Sequence, residues 1–320
     1  MRQFIIRRVI QSVVLLYIIM SLSFLLINLA PGGPEVFLTQ NPKLTREQVA
    51  NIKESYGLNK PLYEQYFVWM KRTFTLDFGK AYSSPLPVWD VIGGRIGPTL
   101  QLGFFSYLIG LLGIPLGIYA AKHRGKMGDN VVRIVTVLGS CAPVWWLSLM
   151  LIIILANTIK WFPQGERALI PGPGQDQAPF FGWFLHLMIP AALLSTGTLI
   201  AFTRFVRAET IEVLSQDYVR TANAKGLAEN KVNRWHVLRN SLIPIVTLLG
   251  YFLPIVLSGA TITEQIFNWP GLGKLFIQAA TSRDMPVLLA LLLIGTIAAV
   301  IGTLLADIGY GFVDPRVRYS

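Results

Sequence analysis

One cysteine, three histidines and 17 acidic residues among 320 leave this chain few of the usual chemistry-bearing side chains. A lone Cys141 excludes an intrachain disulfide and a cluster of thiolate metal ligands. Its neighbours are apolar, so packing is its expected role. His123, His186 and His236 are scattered, and no HExxH, paired-cysteine or triad spacing surrounds them. We therefore expect no catalytic residue, cofactor or metal in this chain. Charge is scarce too, at 14% of residues. The formal +11 lies in no polar stretch long enough for a nucleic-acid-binding domain.

Apolar length is what the chain has in abundance. Hydrophobic residues make up 53% of it, and mean hydropathy is +0.52. That balance excludes disorder and is extreme for a soluble domain. Apolar windows recur at 9–29, 99–120, 132–157, 184–203, 241–262 and 286–306. Each offers about 20 residues, enough to cross a hydrocarbon core about 30 Å thick. His186 and Pro190 interrupt the fourth, which merges into FTRFVRAET. An all-α polytopic membrane protein with six spans is the expected fold class. Arg2, Arg7 and Arg8 ahead of VVLLYIIMSLSFLLINLA imitate a signal peptide. The run is too long for one and lacks a clear cleavage site, so it reads as an uncleaved first span.

Ionisable residues are nearly missing from these windows. Arg133 and Asp307 stand at inner ends of the third and sixth, where snorkelling or capping accounts for them. An ion- or proton-driven porter needs a buried carboxylate or a discontinuous ion site. Driving energy is therefore expected to enter from outside the spans. With both termini inside, segments 1–8, 121–133, 204–240 and 307–320 hold 16 Lys/Arg and 7 Asp/Glu. The outer segments 31–98, 158–182 and 263–285 hold 12 and 10. This asymmetry orients the chain and suits an anionic lipid surface.

The connections carry their own signals. Residues 31–98 are too long for a turn and are expected to form an external subdomain. In it, TREQVANIKESYG has Thr45 as N-cap with Gln48 three residues on. LYEQYFVWMKRTF, opened by Pro61, is amphipathic and aromatic, as interfacial helices are. Gly110, Gly113 and Gly117 permit close helix contact in the second span. Pro143, with Trp145 and Trp146, marks either a kink lined by core aromatics or a wall of a solute path. Loop 158–182 reads as an external re-entrant or cap loop. GLGK in IFNWPGLGK is no nucleotide cradle, because a P-loop needs GxxxxGK[ST] after a strand.

The least expected stretch is 217–244, DYVRTANAKGLAENKVNRWHVLRNSLIP, polar and basic between two apolar spans. Tyr218, Ala222 and Gly226 recur at helical spacing, which predicts a small-residue face open to another surface. It reads as a docking place for something soluble.

That stretch, with YVRTA, AKGL, His236, LRN and Pro244, resembles the cytoplasmic "EAA" loop of bacterial ABC importer permeases of the dipeptide/oligopeptide/nickel class. RRVIQSVVLLYIIMSLSFLLINLAPGGP, YGLNKPLYEQYFVWM, LDFGKAYSSPLPVWDVI, WPGLGKLFIQAATSRDMPV and DPRVRY agree in order and spacing. The likeness covers nearly the whole chain and points to the first permease of the pair. It implies a type I importer permease: an N-terminal span at 1–30, the external subdomain at 31–98, a five-helix core at 99–306 with the coupling loop 204–240, and a cytoplasmic tail at 307–320. It implies location in the bacterial inner membrane with both termini cytoplasmic. Tyr218, Ala222, Ala224, Lys225, Gly226 and Leu227 would contact an ATPase subunit. Arg220 stands where the wider family often has Glu, and Asn223 where a basic residue is usual. Implied partners are a second permease, two ATP-binding subunits that hold ATP and Mg, an external solute-binding protein and membrane lipid. Di- or oligopeptides are the implied solutes, with nickel or oligosaccharides as alternatives, and Trp145, Trp146 and Tyr251 as lining groups. The competing readings are a secondary porter and a membrane scaffold that transports nothing.

Overall fold

The computed structural model describes residues 2–29, 45–154, 180–227, 261–282 and 284–313. They form twelve helices: α1 (Arg2–Leu29), α2 (Arg46–Tyr56), α3 (Leu62–Phe74), α4 (Val88–Leu111), α5 (Gly113–Lys122), α6 (Met127–Cys141), α7 (Val144–Ile152), α8 (Phe180–Leu214), α9 (Asp217–Ala224), α10 (Thr261–Ile266), α11 (Leu272–Thr281) and α12 (Met285–Val313). A single antiparallel bridge, Lys80–Pro87, is the sole β pairing among the described residues.

Four helical stretches are long and apolar enough to cross a membrane: Val9–Leu26, Val88–Lys122, His186–Leu214 and Met285–Leu305. The second joins α4 to α5 through Leu112, which keeps helical angles (φ −62°, ψ −18°). The fold is thus all-α and polytopic, with four spans among the described residues, or five if α6 and α7 count as one. All but the last two residues of the 241–262 window lie outside the described residues, as does most of loop 158–182.

Four expectations about the spans change. Pro190 does not interrupt the fourth, since α8 runs on from Phe180 through FTRFVRAET to Leu214. Packed neighbours and local adjustment satisfy backbone groups that a proline frees inside a span. The third is more than kinked: α6 and α7 meet at 92°. Pro143 has no N–H to donate and drives Ala142 into extended backbone (φ −95°, ψ 125°), which ends α6. Cys141, at that break, is exposed and does not pack. The sixth helix continues past residue 306 to Val313.

Small residues decide how the spans meet. Gly113 and Gly117 lie against the α8 backbone, with Leu199 O and Thr203 O where their side chains would stand. A Cβ on Gly117 would come within 2.7 Å of Thr203 O, so no larger residue fits. The GxxxG pair is therefore a packing face, as its spacing predicts.

No distinct subdomain is identified among residues 45–87. Their apolar side chains share one core with the spans: Met20 of α1, Phe78, Ala81, Val88 and Ile92, Leu272 and Leu275 of α11, and Val287 and Ala290 of α12. α3 packs on α1, with Phe24 5.4 Å from both Tyr66 and Trp69 by ring centroid. Within the expected outer loop 263–285 the chain is largely helical, as the end of α10 and all of α11.

Candidate functional site

α9 follows α8 after a turn at Ser215 and Gln216, whose amides donate to Glu212 O and Val213 O. Asp217 places a negative charge in the first turn, where the helix dipole favours it. Val219 and Ala222 are buried against Val213, with Leu214 and Leu227 beside them. Tyr218, 43% exposed, stands on the open side with Ala224 and Lys225. The exposed Arg220–Asp217 pair at 3.8 Å adds little to stability.

Gly226 ends the helix with φ +74°. Leu227 N–H donates back to Ala222 O at 3.4 Å, and the Leu227 side chain packs on the same cluster. This is the Schellman arrangement, in which a left-handed residue lets the chain fold back over the last turn. A side chain on Gly226 would meet nothing within 4 Å, so backbone conformation, and not crowding, calls for glycine here.

The residues expected to share one docking face therefore divide. Ala222 turns inward and Leu227 is half-buried, because α9 is too short to stand alone and spends these apolar side chains on α8. Tyr218, Ala224, Lys225 and Gly226 are exposed. Lys231, Arg234, His236, Arg239 and Tyr251 lie outside the described residues.

The break between α6 and α7 opens a cavity of about 670 Å³ against α8. Ser140, Pro143, Thr196, Gly197, Ile200 and Arg204 line it. Trp145 and Trp146 are 48% and 45% exposed, so they are not core aromatics. Neither lines this cavity.

Sequence reasoning missed the ionic groups that hold the ends of the bundle. Asp129, buried in the first turn of α6, accepts from Arg207 Nε at 2.6 Å and Arg207 Nη2 at 2.8 Å. Gly125 N–H adds a third bond at 3.0 Å. By sequence both are ordinary members of the basic inner segments 121–133 and 204–240. Only the i,i+78 separation brought together by folding makes them a pair.

Glu264 is fully buried beside the WPGLGK turn. Thr99 Oγ1 and Lys274 N each donate to its carboxylate at 2.9 Å, and Leu272 N–H donates to the same Thr99 hydroxyl at 2.7 Å. Gly271 sits so close that a Cβ there would collide with the Glu264 carboxylate. Trp269 Nε1 reaches Pro98 O at 2.9 Å. Glu264 lies outside the spans, and its burial pushes the carboxyl above the ordinary value of 4.5, against the lowering effect of those donors. The glycines of GLGK thus close around a carboxylate of the chain itself. Asp284, also buried, caps α12 through Val287 N–H and takes two bonds from Ser83, at 2.8 Å to N and 2.6 Å to Oγ. Together these carboxylates tie residues 83–99 to α10–α12.

Residues 113–319 match the family described as binding-protein-dependent transport system inner membrane component, and residues 1–103 match its N-terminal part. The chain is 38% identical over 321 residues to the oligopeptide transport system permease protein AppB of Bacillus subtilis, with 100% of both chains covered. It is 34% identical over 320 residues to the dipeptide transport system permease protein DppB of Lactococcus lactis subsp. cremoris, covering 99% and 100%. Identity to the DppB protein of Escherichia coli is 32% over 338 residues, with 100% of each chain covered.

Proposed function

Because the chain belongs to the family of binding-protein-dependent transport system inner membrane components, we propose that it is one of two permeases framing an ATP-driven import path for di- and oligopeptides. The full-length likeness to an oligopeptide permease carries this reading. The six apolar windows of the sequence are its spans, 204–240 is its coupling loop, and both termini are cytoplasmic. Residues 31–98 lie on the external side, where a solute-binding protein delivers its load. The chain itself breaks no bond; ATP hydrolysis, with its Mg, belongs to the ATPase subunits.

In this scheme α9 is the contact for one ATPase subunit, through Tyr218, Ala224, Lys225 and the Gly226 turn. Closure of the two ATPase subunits draws the paired coupling helices together. α9 is packed onto the last turns of α8 through Val213 and Val219, so it cannot shift without moving α8. α8 lines the cavity at the α6–α7 break, and its displacement changes the shape of that wall. A wide peptide path needs such an apolar wall more than fixed ligands, with Trp145, Trp146 and Tyr251 as further lining groups.

The test is uptake by proteoliposomes holding both permeases, the ATPases and the binding protein. ATP-dependent accumulation of di- and oligopeptides is expected. Accumulation of nickel or an oligosaccharide, and not of peptides, would replace the substrate. Flux that persisted with catalytically dead ATPases would instead make this a secondary porter, and no flux of any solute would leave a scaffold.

A further inference from the structure

α3 carries a buried inner face and, along its flank, an exposed aromatic stripe. Its inner face packs Tyr66, Trp69 and Met70 toward α1, and Tyr66 hydroxyl bonds to Tyr17 and Ser21 at 2.9 and 2.8 Å. The flank beside that face carries Tyr63, Phe67 and Phe74, which are 64%, 67% and 66% exposed. At 100° per residue these three fall within about 40° of one another, so they form one stripe. Lys71, also exposed, lies one turn beyond Phe67. An aromatic stripe of this kind is unusual on a surface that faces water.

The place of α3 along α1 says what covers the stripe. Phe24, the ring that meets both Tyr66 and Trp69, lies two residues inside the end of the apolar stretch Val9–Leu26. With a rise of 1.5 Å per residue that is about 3 Å inside the end of the apolar stretch, close to the level at which interfacial helices bury their apolar face. Beside it, Leu22, Leu25, Leu26 and Leu29 expose 41–74% of their surface on a helix that crosses the membrane. Phe67, its ring 5.8 Å from that of Tyr66, brings the stripe to the level of these side chains.

We propose that α3 is an interfacial helix whose Tyr63–Phe67–Phe74 stripe is sunk in the headgroup–acyl boundary at the C-terminal end of α1, with Lys71 at the lipid phosphates. Aromatic rings favour this level because an apolar body and a polar edge are satisfied together. The helix thus braces the end of α1 from the lipid side while Tyr66 and Trp69 hold it from the protein side. The assignment is independent of the solute carried.

The assembled complex in nanodiscs of phosphatidylethanolamine and phosphatidylglycerol tests it. With Cys141→Ser as background, an environment-sensitive fluorophore is placed at Phe67→Cys, at Phe74→Cys and, as the water reference, at Glu54→Cys. The expected result at both aromatic positions is blue-shifted emission, quenched severalfold more by lipid nitroxides high on the acyl chain than by aqueous iodide. Iodide quenching equal to that at Glu54→Cys, with no quenching by lipid nitroxides, overturns the proposal. Shielding that arises only when the soluble binding protein is added overturns it too, and makes the stripe a protein-docking face. Two label positions keep the test decisive if one variant fails to assemble.

Discussion

Arg207 on α8 grips Asp129 on α6 with two parallel bonds, 2.6 and 2.8 Å long, at the turn where α5 gives way to α6. Asp129 is 1% exposed while the Arg207 side chain keeps 23%, so the carboxylate is the partner that cannot reach water. Removing the guanidinium strands it. Arg207→Ala is expected to cost roughly 3 kcal/mol, the low end for breaking a buried pair, because water can partly replace a half-open arginine. Arg207→Lys keeps the charge and loses the fork, so it should fall between the two. Thermal unfolding of the purified protein in detergent gives the order; equal midpoints for wild type and Arg207→Ala would show that the pair is idle.

Gly226 makes a sharper claim, because nothing crowds it. Its φ of +74° costs an L-residue about 1–2 kcal/mol, less for asparagine. Gly226→Asn should therefore retain most ATPase association and uptake. Gly226→Val should lose both, and more severely than Gly226→Ala, because β-branching disfavours the left-handed region further. Co-purification of the ATPase subunits with each variant reads the series. Equal losses across Asn, Ala and Val would mean that the ATPase surface itself needs bare backbone there, and not that the turn does.

Much of this was legible before any coordinates, and the reasons differ by residue. Apolar run length announced the spans, since a hydrocarbon slab imposes one length on every crossing helix. The GxxxG at 113–117 announced a contact, because only close backbones need two small residues one turn apart. Asp129–Arg207 and Glu264–Thr99 were invisible because they join residues 78 and 165 positions apart. In the sequence Glu264 is one acid within the segment 263–285, and folding buries it. Tyr218 and Ala222, four apart, looked like one face; α9 places the edge of its buried side between them. The sequence pattern records periodicity, but not which side of a short helix its neighbour takes.

Gly271 and Glu264 should behave as one unit. A methyl group on Gly271 is driven into the carboxylate, and overpacking of this kind costs about 1–3 kcal/mol or more. Glu264→Ala alone leaves a hole and strands the Thr99 and Lys274 donors. In the double variant the new methyl group finds room where the carboxylate was, so the combined loss should be smaller than the two single losses added. A double-mutant cycle on unfolding midpoints measures that coupling. Strict additivity would show that the two residues do not share the space that the structure gives them.

The same carboxylate predicts how stability changes with pH. Burial raises the Glu264 carboxyl above 4.5 in the folded protein, while in the unfolded chain it titrates near that value. The folded state therefore holds its proton longer, and stability falls as pH rises wherever the native state binds more protons. The contribution from Glu264 is complete below 4.5 and declines as pH climbs through the raised folded value. Glu264→Gln removes the titration and keeps the shape. The wild-type unfolding midpoint should accordingly drop relative to Glu264→Gln as the buffer moves from mildly acidic toward neutral. A gap that stayed constant over that range would mean that the donors from Thr99, Gly273 and Lys274 fully offset the burial.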